Sequence, residues 1–174
     1  MTTTGTTRSA VALQQSERVA VARLHALLEL LPAALDQQLA PAGLTSFEFT
    51  LLEALAEADH HRLRLSALAA RTNATLPRLS RVVTGLQRKG LVDRVPCEQD
   101  ARATNAVLTA AGTAAYADAR PLHDRAVRTM ILDGLDGDDV DRLADLTLAV
   151  LRRLDPGRRL DVTATCSADP APRP

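Results

Sequence analysis

Apolar residues recur along this chain mostly at helical spacing, interrupted in the middle by short stretches that alternate or run together. From Ser9 to Ala40, the residues Leu13, Ala20, Leu24, Leu27, Leu28, Leu31 and Leu35 share one face at 3.6 periodicity, which predicts a long first helix. Pro32 is expected to kink it, because proline removes a backbone donor and crowds the preceding turn, and Pro41-Ala42-Gly43 ends it. Thr45 and Glu48 have capping-box spacing ahead of Phe49, Leu51, Leu52 and Leu55, so a second helix is expected to about Ala58. Asp59 to Arg62 is a polar loop, and Arg62-Leu63-Arg64-Leu65 alternates as a short strand does. Ser66 is placed to cap a short helix that stops at Thr72-Asn73. Thr75 is placed to cap the next, with Pro77 in its first turn, where proline is tolerated, and Gly90 just past its end. Leu91 to Val95 and Asn105 to Leu108 read as strands around a polar stretch, Pro96 to Thr104, a hairpin with a long tip. Thr109 caps a helix to about Asp133, bent or loosened near Pro121, and Asp136 caps the last, whose stripe is Leu143, Leu146, Thr147, Val150, Leu151 and Leu154. Past Asp155-Pro156-Gly157 the proline-bearing tail is expected to be mobile.

A short helix, a tight turn, a second helix and then a hairpin make a winged helix-turn-helix, so the fold class is mainly α with a small β-wing. At about 100° per residue, the second of these helices divides cleanly. Leu79, Val82, Val83 and Leu86 form one face; Arg81, Thr84 and Arg88 lie opposite, with Ser80 and Arg78 on the flanks. Arginine, hydroxyl and arginine on successive turns suit a B-DNA major groove, where a guanidinium bonds guanine O6 and N7 in pairs. The plain alternative is a solvated outer face, since exposed arginines are common. Charge decides between them. The 21 basic and 21 acidic residues cancel over the whole chain but are segregated along it. Glu17 to Asp59 carries seven acids and two bases, net −5; Arg62 to Arg94 carries eight bases and one acid, net +7; Asp118 to Asp145 turns negative again. A basic middle third offers a polyanion a specific landing place. With no tryptophan, two phenylalanines and one tyrosine, the chain has no platform for stacked single-stranded bases, which leaves duplex DNA as the better partner.

The residues Leu65-Ser66-Ala67-Leu68-Ala69, Leu79-Ser80-Arg81-Val82-Val83, Leu86, Lys89-Gly90-Leu91-Val92-Asp93-Arg94, Asp100-Ala101-Arg102-Ala103 and Leu108-Thr109-Ala110-Ala111-Gly112 stand in an order and spacing that resembles the MarR family of transcriptional regulators. The Asp-x-Arg wing followed six residues on by Leu-Thr-x-x-Gly is the most specific part. That resemblance implies a homodimer, with terminal helices at the dimer interface, two winged lobes reading a palindromic operator in double-stranded DNA, and a ligand crevice between dimer region and lobe. It divides the chain into a flexible N-terminus (1–8), an N-terminal dimerisation helix (9–44), a winged helix-turn-helix domain (45–112), C-terminal dimerisation helices (113–155) and a mobile tail (156–174). Carried over residue by residue, Arg81 and Thr84 are expected at base edges, with Ser80, Arg78 and Arg88 at base or phosphate and Pro77 at the helix start. Arg102 at the wing is expected in the adjacent minor groove, where narrow A·T-rich stretches draw a guanidinium. Asp100 suits a brace that orients an arginine, and Arg94 is either its partner or a backbone contact. Ser66 and Thr75 are helix caps first, although N–H groups at those helix ends can also hold phosphate. Thr84 and Gly85 depart from the family's usual acidic and basic pair, and Gly85 marks either close backbone packing or simple tolerance.

Other chemistry finds little footing. The four histidines sit in different elements and no nucleophile–base pair or paired carboxylates occur, so no enzyme, metal or cofactor is expected. Cys97 precedes the wing tip, where a redox switch competes with plain local packing. Arg18 and His25, at i and i+7, flank the apolar stripe of the first helix and would suit a small anionic aromatic effector, against surface or dimer contacts. No apolar run reaches the length of a membrane span and the N-terminus lacks a secretory pattern, so a soluble cytoplasmic protein is expected, and the resemblance makes it a ligand-responsive repressor. The rival is a winged-helix module that binds protein and not DNA.

Overall fold

The computed structural model describes residues 12–97 and 100–156, with only the backbone at 100–102. The expected flexible N-terminus, nearly all of the expected mobile tail and Cys166 lie outside the described residues. The chain divides into two units, one up to Ala34 and one from Leu35 onward. In the first, α1 (Gln15–Leu39) is helical throughout and carries on past Pro32 into the second unit without interruption. Pro32 is exposed, so the carbonyl that loses its donor one turn earlier can turn to water.

The second unit holds everything else. A 3-10 turn at Ala40–Ala42 leads through Gly43 to α2 (Ser46–Ala56). The expected capping box is formed: the Thr45 hydroxyl accepts from the Glu48 N–H at 3.2 Å, and the Glu48 carboxylate accepts from the Thr45 N–H at 2.9 Å. After a tight turn at Asp59–His61, β1 (Arg62–Arg64) runs straight into α3 (Leu65–Arg71). Ser66 is therefore not the helix cap. Arg64 holds that position because its extended backbone still pairs with Asn105, and the helix begins at the next residue. α3 closes with Asn73 in the left-handed region (φ 53°), its N–H donating to the Ala70 carbonyl and that of Ala74 to the Ala69 carbonyl. That turn delivers α4 (Leu76–Arg88).

Thr75 does sit at the N-cap of α4 with extended dihedrals, yet its side chain makes no capping bond. Pro77, two residues on, has no N–H to give, and that of Arg78, three residues on, is not taken up by the Thr75 side chain either. At the other end Gly90 (φ 73°) completes a Schellman turn, with its N–H bonded to the Gln87 carbonyl and that of Leu91 to the Leu86 carbonyl. β2 (Val92–Cys97) and β3 (Asp100–Leu108) then form the wing. The long polar tip expected from composition is instead mostly strand: Thr104 pairs with Pro96, and Cys97 stands opposite Asp100 after an irregularity in register. β3 is also the centre of a three-stranded antiparallel sheet, ordered β1-β3-β2, in which Leu63 pairs with Ala106. Alternation along β3 is masked by its small and polar residues, while two neighbours supply its hydrogen bonds.

Thr109 caps α5 (Ala110–Val127) by accepting from the Gly112 N–H at 3.0 Å. α5 continues through Pro121 and loosens only later, in a π-helical turn at Arg128–Leu132 closed by the Asp133 N–H on the Arg128 carbonyl at 2.8 Å. Asp136 caps α6 (Gly137–Leu154), as expected. The core of this unit is aliphatic: Leu39, Phe49, Leu51, Leu52, Leu55, Leu68, Leu79, Val83, Leu86 and Val92 are all fully buried. It joins α2, α3, α4, the sheet and α5 into one base for the helix-turn-helix. Among the described residues no helix is long and apolar enough to cross a membrane.

Candidate nucleic-acid interface

α4 is pinned by its apolar face and leaves the opposite face to solvent. Leu79, Val83 and Leu86 are at zero exposure, while Arg78, Arg81 and Arg88 are exposed. The division of faces expected from the sequence is thus the division the fold makes. Arg81 rests its Nε at 3.4 Å from the Pro77 carbonyl, a weak contact that leaves the guanidinium fork outward. Thr84 turns its hydroxyl back to the Ser80 carbonyl at 2.9 Å, so its Oγ1 donates to the helix and offers a lone pair and a methyl group to the outside. Ser66 and Thr75 are both exposed near the starts of α3 and α4, and Pro77 is exposed beside them.

The middle-third charge is smaller at the surface than along the chain. Arg71 is bound to Glu57 at 2.5 Å, and Lys89 to Glu48 at 2.8 Å. Arg94, on β2, crosses to α4: its Nη2 donates to the Ser80 hydroxyl at 2.7 Å and to the Ser80 carbonyl at 3.3 Å. Arg94 and Ser80, two of the expected DNA contacts, therefore hold the wing against the recognition helix. Arg78 lies over the Phe47 ring, 4.2 Å from its centroid, a cation–π contact that steadies the guanidinium while leaving its edge open. Among the described residues, Arg64, Arg81 and Arg88 remain as exposed guanidinium groups without an ion pair. Beside Arg64 a groove of about 250 Å³, lined also by Leu65, Ser66, Leu76, Ser80 and Thr104, lies between the front of the helix-turn-helix and the wing. The backbone of Asp100 and Arg102 belongs to β3 beside the wing tip; their side chains lie outside the described ones, and with them the expected Asp100 brace.

Several contacts that shape this surface gave no motif in the sequence. Phe47 meets Arg78, Glu48 (expected only as a capping-box residue) meets Lys89 just past the far end of α4, and Ser46 beside them meets Asp36. A second cluster lies between α2 and α5, where Phe49 stacks on His123 (centroids 4.2 Å apart) and tilts against Tyr116 at 5.4 Å. Burial, and then the neighbouring Glu57 carboxylate, push the Glu53 carboxyl above its ordinary range; burial, and then Glu53, raise the Tyr116 phenol. Arg18 and His25 are both exposed on α1. Cys97 is buried at the end of β2, and among the described residues no group of three or more His, Cys, Asp or Glu is placed to hold a metal ion.

The geometry agrees with what the chain is similar to. A family model described as the MarR family matches residues 42–103. AbsC, a MarR family transcriptional regulator from Streptomyces coelicolor, is 31% identical and superposes with a TM-score of 0.78 over 83% of this chain and 98% of that one. Sco3205, a MarR family regulator from the same organism solved in complex with DNA, is 32% identical, with a TM-score of 0.79 over 82% of this chain and 91% of that one. The HTH-type transcriptional repressor YetL of Bacillus subtilis (strain 168) is 33% identical over 89 residues, 51% of this chain; the match spans about half (53%) of that relative's length.

Proposed function

From the premise that the chain belongs to the MarR family of winged helix-turn-helix transcriptional regulators, we propose that it is a homodimeric repressor that binds a palindromic operator in double-stranded DNA and responds to a small ligand. The observation that carries this reading is the outer face of α4, where Arg81 and Arg88 stand exposed on a helix whose other face buries Leu79, Val83 and Leu86 fully. Such a helix can enter a major groove without giving up any packing, and a guanidinium there reads guanine. Arg81 and Thr84 take the base edges. Arg78, Arg88 and the exposed N-terminal ends of α3 and α4, with Ser66 and Thr75, face phosphates. Arg102 enters the minor groove beside the wing.

Two such helices need a dimer to set their distance, and half-sites about one helical turn apart follow from it. The leucines of α1 and α6 support that assembly, since an uncovered apolar stripe is costly in water. Arg18 and His25 are the proposed contacts for an anionic aromatic effector, which would act only through its different affinity for DNA-competent and DNA-incompetent dimers, typically worth ~1–3 kcal/mol. YetL is named a repressor and Sco3205 was solved with DNA, which supports repression and DNA binding for this chain. Titrating duplex binding against salt tests it. A steep linear fall of log affinity with log salt is expected, each neutralised phosphate contributing about 0.9 to the slope. A flat dependence would favour the rival, a winged helix that binds protein.

A further inference from the structure

We propose that the first turn of α2 is the coupler that sets the angle of the recognition helix, with Glu48 and Lys89 as positioning residues and Asp36 as their link to α1; this rests on the DNA-reading role given to α4. Three consecutive residues, Ser46, Phe47 and Glu48, each hold a different side chain from outside α2. Ser46 donates from both its N–H and its hydroxyl to the same carboxylate oxygen of Asp36, each at 2.6 Å, and Asp36 belongs to the last turns of α1. Phe47 lies under Arg78, in the first turn of α4. Glu48 receives Lys89, the residue that caps the other end of α4, on both carboxylate oxygens at 2.8 and 2.9 Å.

The Lys89 ammonium also donates to the Gly43 carbonyl at 3.0 Å. Its three acceptor contacts match the three protons it has, so this cation, although its side chain is 42% exposed, is already engaged by the protein. The position is occupied by the single lysine in the chain. Glu48 is 8% exposed and also accepts the Thr45 N–H, so its carboxylate is fixed by the helix it caps. Apolar packing of Leu79, Val83 and Leu86 buries α4 but is non-directional. Tethers at the two ends of a 13-residue helix, both landing on neighbouring residues of α2, fix its tilt as well. The Asp36–Ser46 contact passes any displacement of α1's last turns to the same point.

The test compares wild type with Glu48→Gln, Lys89→Met, the double variant and Asp36→Asn, on a selected palindromic duplex and on a random duplex, with thermal unfolding of each protein alongside. Gln keeps the capping-box hydrogen bonding, so Glu48→Gln is the variant that stays folded. Removing a carboxylate near DNA would, on charge alone, tighten binding. A positioning role predicts the reverse for the palindrome: about tenfold weaker binding by Glu48→Gln, unchanged or tighter binding to random duplex, and a double variant within twofold of Lys89→Met. Asp36→Asn should weaken the palindrome selectively too. Palindrome affinity at or above wild type for Glu48→Gln would overturn the proposal. So would equal losses of Lys89→Met on both duplexes with a salt slope shallower by about 1, the mark of a phosphate contact. Wild type that binds no duplex would instead overturn the DNA-reading role beneath it.

Discussion

A Cβ at Gly112 would run into the Leu91 carbonyl and stand 2.7 Å from Leu108 Cδ1, whereas a Cβ at Gly85 would meet nothing within 4 Å. The two glycines therefore differ in kind. Gly112 sits where Thr109 ties the start of α5 to the end of the recognition helix, with the Thr109 N–H on the Leu91 carbonyl at 3.1 Å and its hydroxyl on the Gly90 carbonyl at 2.8 Å. Gly112→Ala forces that junction apart and should cost about 1–3 kcal/mol, read in urea unfolding. Gly85, inside α4, is tolerance and not close packing; Gly85→Ala should gain roughly 0.5–1 kcal/mol through helix propensity. Glu53 gives a pH signature. Its folded pKa lies above the ordinary carboxylate value, so the folded state holds a proton that the unfolded chain gives up. Stability therefore falls as pH rises from the ordinary range through the raised value. Glu53→Gln should be more stable than wild type at pH 7, with the advantage shrinking toward about pH 4. An advantage that grows on acidification would contradict the burial argument.

At the scale of elements, the recognition helix is where sequence and structure meet most closely. Its apolar face, its left-handed Gly90 and the capping box of α2 all depend on residues within a few positions of each other, which periodicity and cap chemistry report directly. What the sequence concealed depends on partners far along the chain. Ser66 looks like a cap until β3 pairs with Arg64, and the hairpin tip looks long until Thr104 finds Pro96. Nothing in the sequence showed that Arg94 would meet Ser80, fourteen positions away, across the wing. The division of labour within the reading head is testable at this scale. Arg81→Ala should relax preference at one base position by about 1–3 kcal/mol. Arg102→Ala should weaken binding selectively where the flanks are A·T-rich, as measured on single-base-substituted duplexes. Equal losses on every duplex for both variants would reject the assignment.

For the whole molecule, the apolar stripes of the terminal helices carry the argument. On α1, Leu27, Leu28 and Leu30 are exposed, Leu28 at 64%; on α6, Leu143, Leu146, Val150 and Leu154 are exposed, Leu146 at 62%. Periodicity placed Leu27 and Leu28 of α1 and the leucines of α6 on apolar faces but could not say what covers them; in the dimer proposed here, a second chain does. Under the dimer reading, Leu28→Glu or Leu146→Glu should yield a folded monomer in sedimentation that has lost its grip on the palindrome, since one recognition helix alone forfeits the second half-site.

The most direct measurement is selection from a randomised duplex library at moderate salt, followed by sequencing of what the purified protein retains. A dimeric reader predicts enrichment of one palindrome, with half-sites centred about 10 base pairs apart. Recovery of a pool as random as the one put in, repeated after the protein has been unfolded and refolded free of any ligand, would contradict the claim that α4 reads DNA.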